Sequence, residues 1–325
     1  MTSTSTSTST ATAGSPSAST SPAKAAVASP AIRPGSLSAW ILAMRPRTLP
    51  VSLAPVLVGT AVAHQAGGVR VGPALAAAGG ALLLQIGSNL ANDVFDYEKG
   101  ADTAARIGPP RATQLGLLSP RAMKRGMVVV FGLAIAIGVY LTAVAGPVIP
   151  VIGLVSIAAA IAYTGGPWPL GYHGLGDVAV FVFFGVVAVA GTAFVQLGHV
   201  PPLAWMASIP VGALATAILV VNNLRDVDTD RSAGKRTLAV RLGRSGARAE
   251  WTALVASAYL IASAVGLAFD ATLFAALPWL TLPKAIALGR VLHREEAGPP
   301  LNAALAGTAQ LCFLFSLLFA AGLAA

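Results

Sequence analysis

Asn89-Leu90-Ala91-Asn92-Asp93-Val94-Phe95-Asp96-Tyr97-Glu98-Lys99-Gly100-Ala101-Asp102 begins where an apolar run, residues 73–86, gives out. If that run continues as a helix, Asn89, Asn92, Asp93 and Asp96 stand at spacings of three, four and seven and share one face. Carboxylates crowded this closely repel one another unless a cation sits among them. A donor set made only of oxygen suits a hard ion, and Mg2+ is commonly held by a few carboxylates together with substrate phosphates. A second stretch, Asn222-Asn223-Leu224-Arg225-Asp226-Val227-Asp228-Thr229-Asp230, follows another apolar run, residues 203–221. Asn222, Asp226 and Asp230 recur every four residues and share a face, while Asp228 points elsewhere.

Apolar runs like these two recur along the chain. Of 325 residues 55% are hydrophobic and 10% charged, and the mean hydropathy is +0.75. A soluble domain carries about 25% charged residues, so the composition indicates an integral membrane protein. Nine apolar runs can be counted: residues 39–65, 73–92, 126–145, 148–163, 177–197, 203–221, 251–269, 273–292 and 302–323. Several approach the ~20 residues that a spanning helix needs. Lipid admits only helices and closed barrels as spanning forms, and runs this long and continuous read as helices. The expected fold is all-α, with nine transmembrane helices around a central cavity.

Lys and Arg orient the expected bundle. Loops after even-numbered runs carry Lys99, Arg106, Arg111, Arg121, Lys124 and Arg125, then the series from Arg225 to Arg248, then Arg294; loops after odd-numbered runs carry only Arg70. The positive-inside rule places the N-terminus and both acidic stretches on the cytoplasmic side and, with an odd helix count, the C-terminus outside. The formal charge of +9 is concentrated in these loops, which argues against a nucleic-acid partner. Residues 1–36 are almost wholly Ser, Thr, Ala and Pro and read as a disordered tail without signal-peptide character, leaving residues 37–325 as the membrane domain. The one cysteine, Cys312, permits no intramolecular disulfide and reads as a small buried hydrophobe.

Apolar helix, Asn/Asp cluster, basic loop, apolar helix: the pattern occurs twice and forms a coarse internal repeat. Asn and Asp at the C-terminal end of a helix oppose its dipole, so two such clusters on one side of a membrane are poorly explained as solvated helix ends. Ionisable groups at membrane depth are functional by default. A site lined by acids and ringed by Lys and Arg suits an anionic group brought in with a divalent cation, and diphosphate is the natural candidate. For Arg106, Arg111, Lys235 and Arg236, setting topology and binding an anion are equally good readings. Arg45, in Arg45-Pro46-Arg47-Thr48, either lines the cavity or anchors the first helix. The loop Tyr163-Thr164-Gly165-Gly166-Pro167-Trp168-Pro169-Leu170-Gly171-Tyr172 contains turn chemistry, with Tyr163 the residue able to meet an aromatic or cationic group. His64 and His199 fall on the outer side, and His173 stands alone. Lys284 either snorkels or faces the cavity.

Asn92-Asp93-x-x-Asp96 followed by Asp102, with Asp226-x-x-x-Asp230 in the second half, resembles the UbiA superfamily of intramembrane aromatic prenyltransferases. Arg45-Pro-Arg-Thr-Leu-Pro50, Gly108-Pro-Pro-Arg111, the Tyr163 loop and Asn222-Asn223-Leu-Arg-Asp226 through Gly234-Lys235-Arg236-Thr237-Leu238 look like its menaquinone branch. The resemblance runs from about Leu37 to the C-terminus. In the common superfamily pattern the last Asp of the first motif stands four residues after the second. Here that position is Gly100, and Asp102 lies two further on, a less secure ligand than Asp96.

The resemblance implies an Mg2+-dependent transferase in the bacterial inner membrane, with its site facing the cytoplasm. Asp93, Asp96, Asp226 and Asp230, with Asp102, would hold Mg2+ against the diphosphate of a polyprenyl donor, helped by Asn89, Asn92 and Asn222. Lys99, Arg106, Arg111, Lys235 and Arg236 would neutralise the leaving diphosphate, and Arg45 and Tyr163 complete the substrate-binding set. The implied acceptor is 1,4-dihydroxy-2-naphthoate, prenylated with loss of CO2. Two alternatives stay open: another acceptor, such as 4-hydroxybenzoate, a chlorophyllide or haem, and a cation-coupled transporter whose acidic pairs are midplane ion sites.

Overall fold

The computed structural model describes residues 32–101, 108–269, 274–295 and 298–325. Among these all regular structure is helical. The first apolar run folds as α1 (Leu37–Met44) and α2 (Leu49–Gln65), joined through a short 3-10 turn, Pro46–Thr48. Ser36 caps α1, its Oγ accepting from the Ala39 N–H at 3.3 Å. The break falls at Arg45, whose φ of 52° lies in the left-handed region. Pro46 disfavours helical backbone at the residue before it, and an arginine held at positive φ is strained unless its surroundings fix it.

The next elements are α3 (Val71–Glu98), α4 (Pro120–Ala145), α5 (Val148–Ala162), α6 (Gly176–Val180) and α7 (Ala188–Leu197), the last two linked by a π-helical stretch, Phe181–Val187. Then come α8 (Pro202–Ser232), α9 (Leu238–Ala268), α10 (Leu282–Arg294) and α11 (Pro299–Ala324).

Among the described residues seven helical stretches are long and apolar enough to cross a membrane: Leu37–Gln65, Val71–Glu98, Pro120–Ala145, Gly176–Leu197, Pro202–Ser232, Leu238–Ala268 and Pro299–Ala324. Two of the nine apolar runs give shorter elements. The fourth is α5, with 15 residues. The eighth divides into a 3-10 segment, Phe274–Thr281, and α10, because Pro278 and Pro283 withhold backbone donors there and α10 carries Lys284, Arg290, His293 and Arg294.

α8 is the most enclosed span and packs against α2, α7, α9 and α11. In lipid, helices associate through close packing of small residues rather than through a hydrophobic drive. At Gly185 in the π-helical stretch a Cβ would stand 2.7 Å from the Cα of Gly212 in α8, so only glycine permits that approach. The apolar packing forms two main clusters. One joins α2, α7, α8, α9, α10 and α11, and the other joins α1, α3, α4 and the 112–118 segment.

α3 has 28 residues and α8 has 31. At 1.5 Å per residue they are roughly 42 and 46 Å long, against a hydrocarbon core of ~30 Å. Both are longer than the apolar layer is thick, and Asn89–Asp96 and Asn222–Asp230 occupy their C-terminal turns.

Candidate active site

Between the two packed clusters lies a cavity of about 710 Å3. Its polar end brings the two acidic stretches together. α3 contributes Asn89, Asn92 and Asp96; α8 contributes Asn222, Asp226 and Asp230; the connecting segments contribute Arg45, Arg111, Tyr163, Tyr172 and Lys235. Its depth is apolar, walled by residues such as Leu84, Ile137, Phe183 and Val187. Val139 of α4 and Leu154 of α5 line the cavity and are also 65% and 58% exposed, so it opens sideways between those helices.

Asp96 is the hub of the polar end. Its Oδ2 accepts from Arg111 Nη2 at 3.0 Å, and its Oδ1 from the Tyr172 hydroxyl at 2.9 Å. Lys235 Nζ lies 3.2 Å from Asp96 Oδ1 and 3.8 Å from Asp230 Oδ1, so one ammonium joins carboxylates from both halves of the chain. The Tyr172 ring is flanked by Lys99 and Lys235, at 4.9 and 4.8 Å from its centroid. Lys99 also donates to the Gly166 carbonyl at 3.2 Å, and Arg241 to the His173 carbonyl at 2.8 Å. The Arg236 backbone N–H donates to the Tyr172 carbonyl at 2.9 Å while its side chain is exposed. These bonds lay the 163–176 segment over the polar end like a roof. Lys99 and Arg236 therefore hold the roof and are not among the residues lining the cavity.

On α8, Asp226 is held by its neighbour. Arg225 Nε and Nη2 reach its two oxygens at 2.8 and 2.6 Å. Arg225 also donates to Asn222 Oδ1 and to Asn302 Oδ1 of α11, both at 3.0 Å. Its side chain is completely buried, and a charge so placed needs such a full set of partners.

The remaining α3 residues divide by face. Asn92 accepts from Thr164 Oγ1 at 2.9 Å at the cavity wall. Asn89 donates to the Met44 carbonyl at 3.0 Å and to Thr48 Oγ1 at 3.3 Å, bracing the break at Arg45. Asp93 is buried and is not among the lining residues; its oxygens accept from the Ala112 and Thr113 N–H groups at 3.0 and 3.1 Å. Asp102 and Arg106 lie outside the described residues. Lys284 donates to Gln310 at 2.9 Å on the exposed face of α11, away from the cavity. His173 stacks on Trp168, with ring centroids 4.3 Å apart.

Enclosure, followed by the negative charge of Asp177, Asp96 and Asp230, pushes the Tyr163 hydroxyl well above the usual phenol range, so it remains a neutral donor. Burial lowers Lys99, an effect that Asp96 opposes. Among the described residues no three His, Cys, Asp or Glu side chains converge as a self-sufficient metal cage. The donor set still fits a hard divalent ion. Asp96, Asp230 and Asp226 offer only oxygen, and Lys235 already stands where a cation is shared between the halves.

Tyr172, Arg225 and Asn302 are site residues that the sequence did not single out. Tyr172 was visible only as an aromatic in a Gly/Pro loop. Arg225 sits one residue from Asp226, a spacing that ordinarily separates side chains on a helix. Asn302 stands in the first turn of α11 with no motif around it.

Residues 52–317 match the model of the UbiA prenyltransferase family. The chain is similar to the 1,4-dihydroxy-2-naphthoate octaprenyltransferase of Escherichia coli, at 38% identity over 291 residues, covering 88% of this chain and 94% of that protein. It is 41% identical over 223 residues to the protein of the same name from Mycobacterium tuberculosis, covering 69% and 76%. It is also 31% identical over 294 residues to the UbiA prenyltransferase domain-containing protein 1 of Gallus gallus, covering 88% and 84%. Among solved structures, a UbiA homologue from Archaeoglobus fulgidus bound to GPP and Mg2+ superposes with a TM-score of 0.66 at 15% identity, covering 88% of this chain and all of that one. An apo UbiA homologue from Aeropyrum pernix gives 0.66 at 18% identity, covering 84% and 96%. At these identities the likeness establishes the fold.

Proposed function

The chain belongs to the UbiA prenyltransferase family, and from that premise we propose that it joins a polyprenyl group to 1,4-dihydroxy-2-naphthoate, with loss of CO2 and diphosphate, in menaquinone synthesis. The bacterial relatives carry this activity in their names, which specify an octaprenyl donor. The observation that best supports the reading is Lys235 between Asp96 and Asp230, a charge site built from both halves of the chain at the end of an apolar, laterally open cavity.

Mg2+ would be held by Asp96, Asp226 and Asp230 with Asn92 and Asn222, where it supplies positive charge to the donor's diphosphate. Arg111 and Lys235 add further positive charge as the allylic C–O bond breaks and its electron pair leaves with diphosphate. Stabilising charge that develops in the transition state is usually the largest catalytic contribution. The apolar depth takes the isoprenoid chain, admitted between α4 and α5, and keeps water from the allylic cation. The ring carbon bearing the carboxylate attacks that cation, and departure of CO2 restores the aromatic ring. Tyr163, kept neutral, is placed to donate a hydrogen bond within the cavity.

Nine crossings complete the proposed topology, with α5 and the 274–294 stretch added to the seven long spans. The N-terminus and the site then lie on the cytoplasmic side of a bacterial inner membrane and the C-terminus outside. Residues 37–325 form the prenyltransferase domain, preceded by the tail of residues 1–36. The test is mass spectrometry of the lipid product when membranes carrying the chain receive polyprenyl diphosphate, Mg2+ and equal amounts of 1,4-dihydroxy-2-naphthoate and 4-hydroxybenzoate. A demethylmenaquinol product is expected. Exclusive prenyl-hydroxybenzoate would reassign the acceptor, and no prenylated product with folded protein would remove the reaction class.

A further inference from the structure

α3 presents two acids three residues apart, and they meet different things. Asp96 faces the cavity, where Arg111, Tyr172 and Lys235 converge on it. Asp93 is 1% exposed and gives both oxygens to backbone, the N–H groups of Ala112 and Thr113. Those two groups open a single helical turn, in which the Leu115 N–H donates to the Arg111 carbonyl at 3.0 Å and the Gly116 N–H to the Thr113 carbonyl at 3.0 Å. The first N–H groups of a turn have no partner within it. A carboxylate supplied from another element satisfies them as an N-cap would, with charge-assisted bonds. The residue immediately before the capped pair is Arg111, 6% exposed, whose guanidinium reaches Asp96. α3 therefore grips the 111–113 segment twice, by its backbone through Asp93 and by its side chain through Asp96.

We propose that Asp93 is a positioning residue, which fixes the backbone from which Arg111 reaches the reaction site, and is not a metal ligand. To take a metal it would have to release two buried N–H donors, each costly to leave unmade, and turn through the helix toward the cavity. The inference rests on the proposed reaction for its kinetic readout only.

The experiment uses the full chain in nanodiscs and three measurements. Hydrogen exchange follows the 111–118 amides, EPR follows Mn2+ binding in the presence of inorganic diphosphate, and turnover is measured separately. In Asp93→Asn an amide replaces one acceptor oxygen with a donor. Exchange at 112–113 is expected to rise about tenfold and kcat to fall about tenfold, the size of one lost charge-assisted bond, with Mn2+ affinity kept within about twofold. Asp96→Asn is the contrast, with Mn2+ affinity reduced by about tenfold or more. Combining Asp93→Asn with Arg111→Lys should cost less than the product of the separate losses, because both act through one side chain. Ala112→Pro removes one of the accepted donors without touching α3, and proline is tolerated in a first turn. It decides the matter if Asp93→Asn fails to fold, and is expected to lower kcat with Mn2+ binding intact. A loss of Mn2+ affinity of about tenfold in Asp93→Asn, unchanged exchange at 112–113, or wild-type turnover in Ala112→Pro overturns the proposal. Absence of turnover in the wild-type chain counts against the proposed reaction and leaves the exchange and Mn2+ results to decide the role of Asp93.

Discussion

Asp96 and Asp230 come from different halves of the chain and reach one ammonium, Lys235. If each carries part of the charge that holds Mg2+ and diphosphate, neither substitutes for the other. Asp96→Asn and Asp230→Asn remove one negative charge at nearly constant volume. Each is expected to lower turnover by about 10²-fold or more, the scale of losing one transition-state charge contact, while membrane insertion stays normal. Near-normal rates in either variant at saturating Mg2+ would withdraw that residue from the site. Tyr172 tests the roof. Tyr172→Phe keeps the ring between Lys99 and Lys235 and loses only the hydroxyl that donates to Asp96. One such bond to a carboxylate is worth roughly 1.5 kcal/mol or more, or at least about a tenfold loss of kcat/KM. Tyr172→Ala removes the cation–π contacts as well and should cost more; equal losses would mean the ring does nothing.

The candidate site is built on the C-terminal turns of two long helices, whose placing depends on how tightly their neighbours pack. α8 approaches the π-helical stretch where Gly185 meets Gly212 and the Ser208 carbonyl. Gly185→Val forces the helices apart at a point where packing is the main adhesive. Overpacking of this kind costs about 1–3 kcal/mol, expected as a fall of several degrees in Tm in detergent, followed by tryptophan fluorescence. An unchanged Tm would mean that the contact relaxes freely. At this scale the sequence was largely readable. Continuous apolar runs gave α3, α4, α8, α9 and α11, because hydrophobicity is what places a helix in lipid. It did not foresee that the run 273–292 would divide, where Pro278 and Pro283 outweigh apolarity and leave a 3-10 segment and a short α10. The corner at Arg45 was also hidden, since Asn89 of another helix braces it.

For the whole molecule, the packed unit accounts for the proposed chemistry from residue 32 onward. Ile32 packs against the cluster of α1, α3 and α4, and the Gly35 N–H donates to the Leu117 carbonyl at 2.8 Å, tying the start of the domain to the segment that carries Arg111. Deleting residues 1–31 is therefore expected to leave turnover within about twofold of the full chain, because a Ser/Thr/Ala/Pro composition offers no packed core. The check is a rate assay on protein shown to have inserted normally. A deletion that inserts yet does not turn over would give the tail a role that its composition does not suggest. The lateral opening between α4 and α5 belongs to this scale too, since neither helix alone has a portal.

The sequence by itself determined that the chain is a helical membrane protein and that two oxygen-rich helix ends open on the same side. Through the paired motifs it also identified a family. These follow from apolar length, charge placement and spacing, all of which are local. Only the tertiary structure decided what each acid meets. At 100° per residue Asp93 and Asp96 lie roughly 60° apart around α3, close enough to count as one face in the sequence. In the folded protein that angle separates a clamp on the 112–113 backbone from the hub of the cavity. Spacing fixes direction about a helix's own axis, but what stands in that direction is set by chain arriving from elsewhere: Arg111 from the loop after α3, Tyr172 from the roof and Lys235 from the far half.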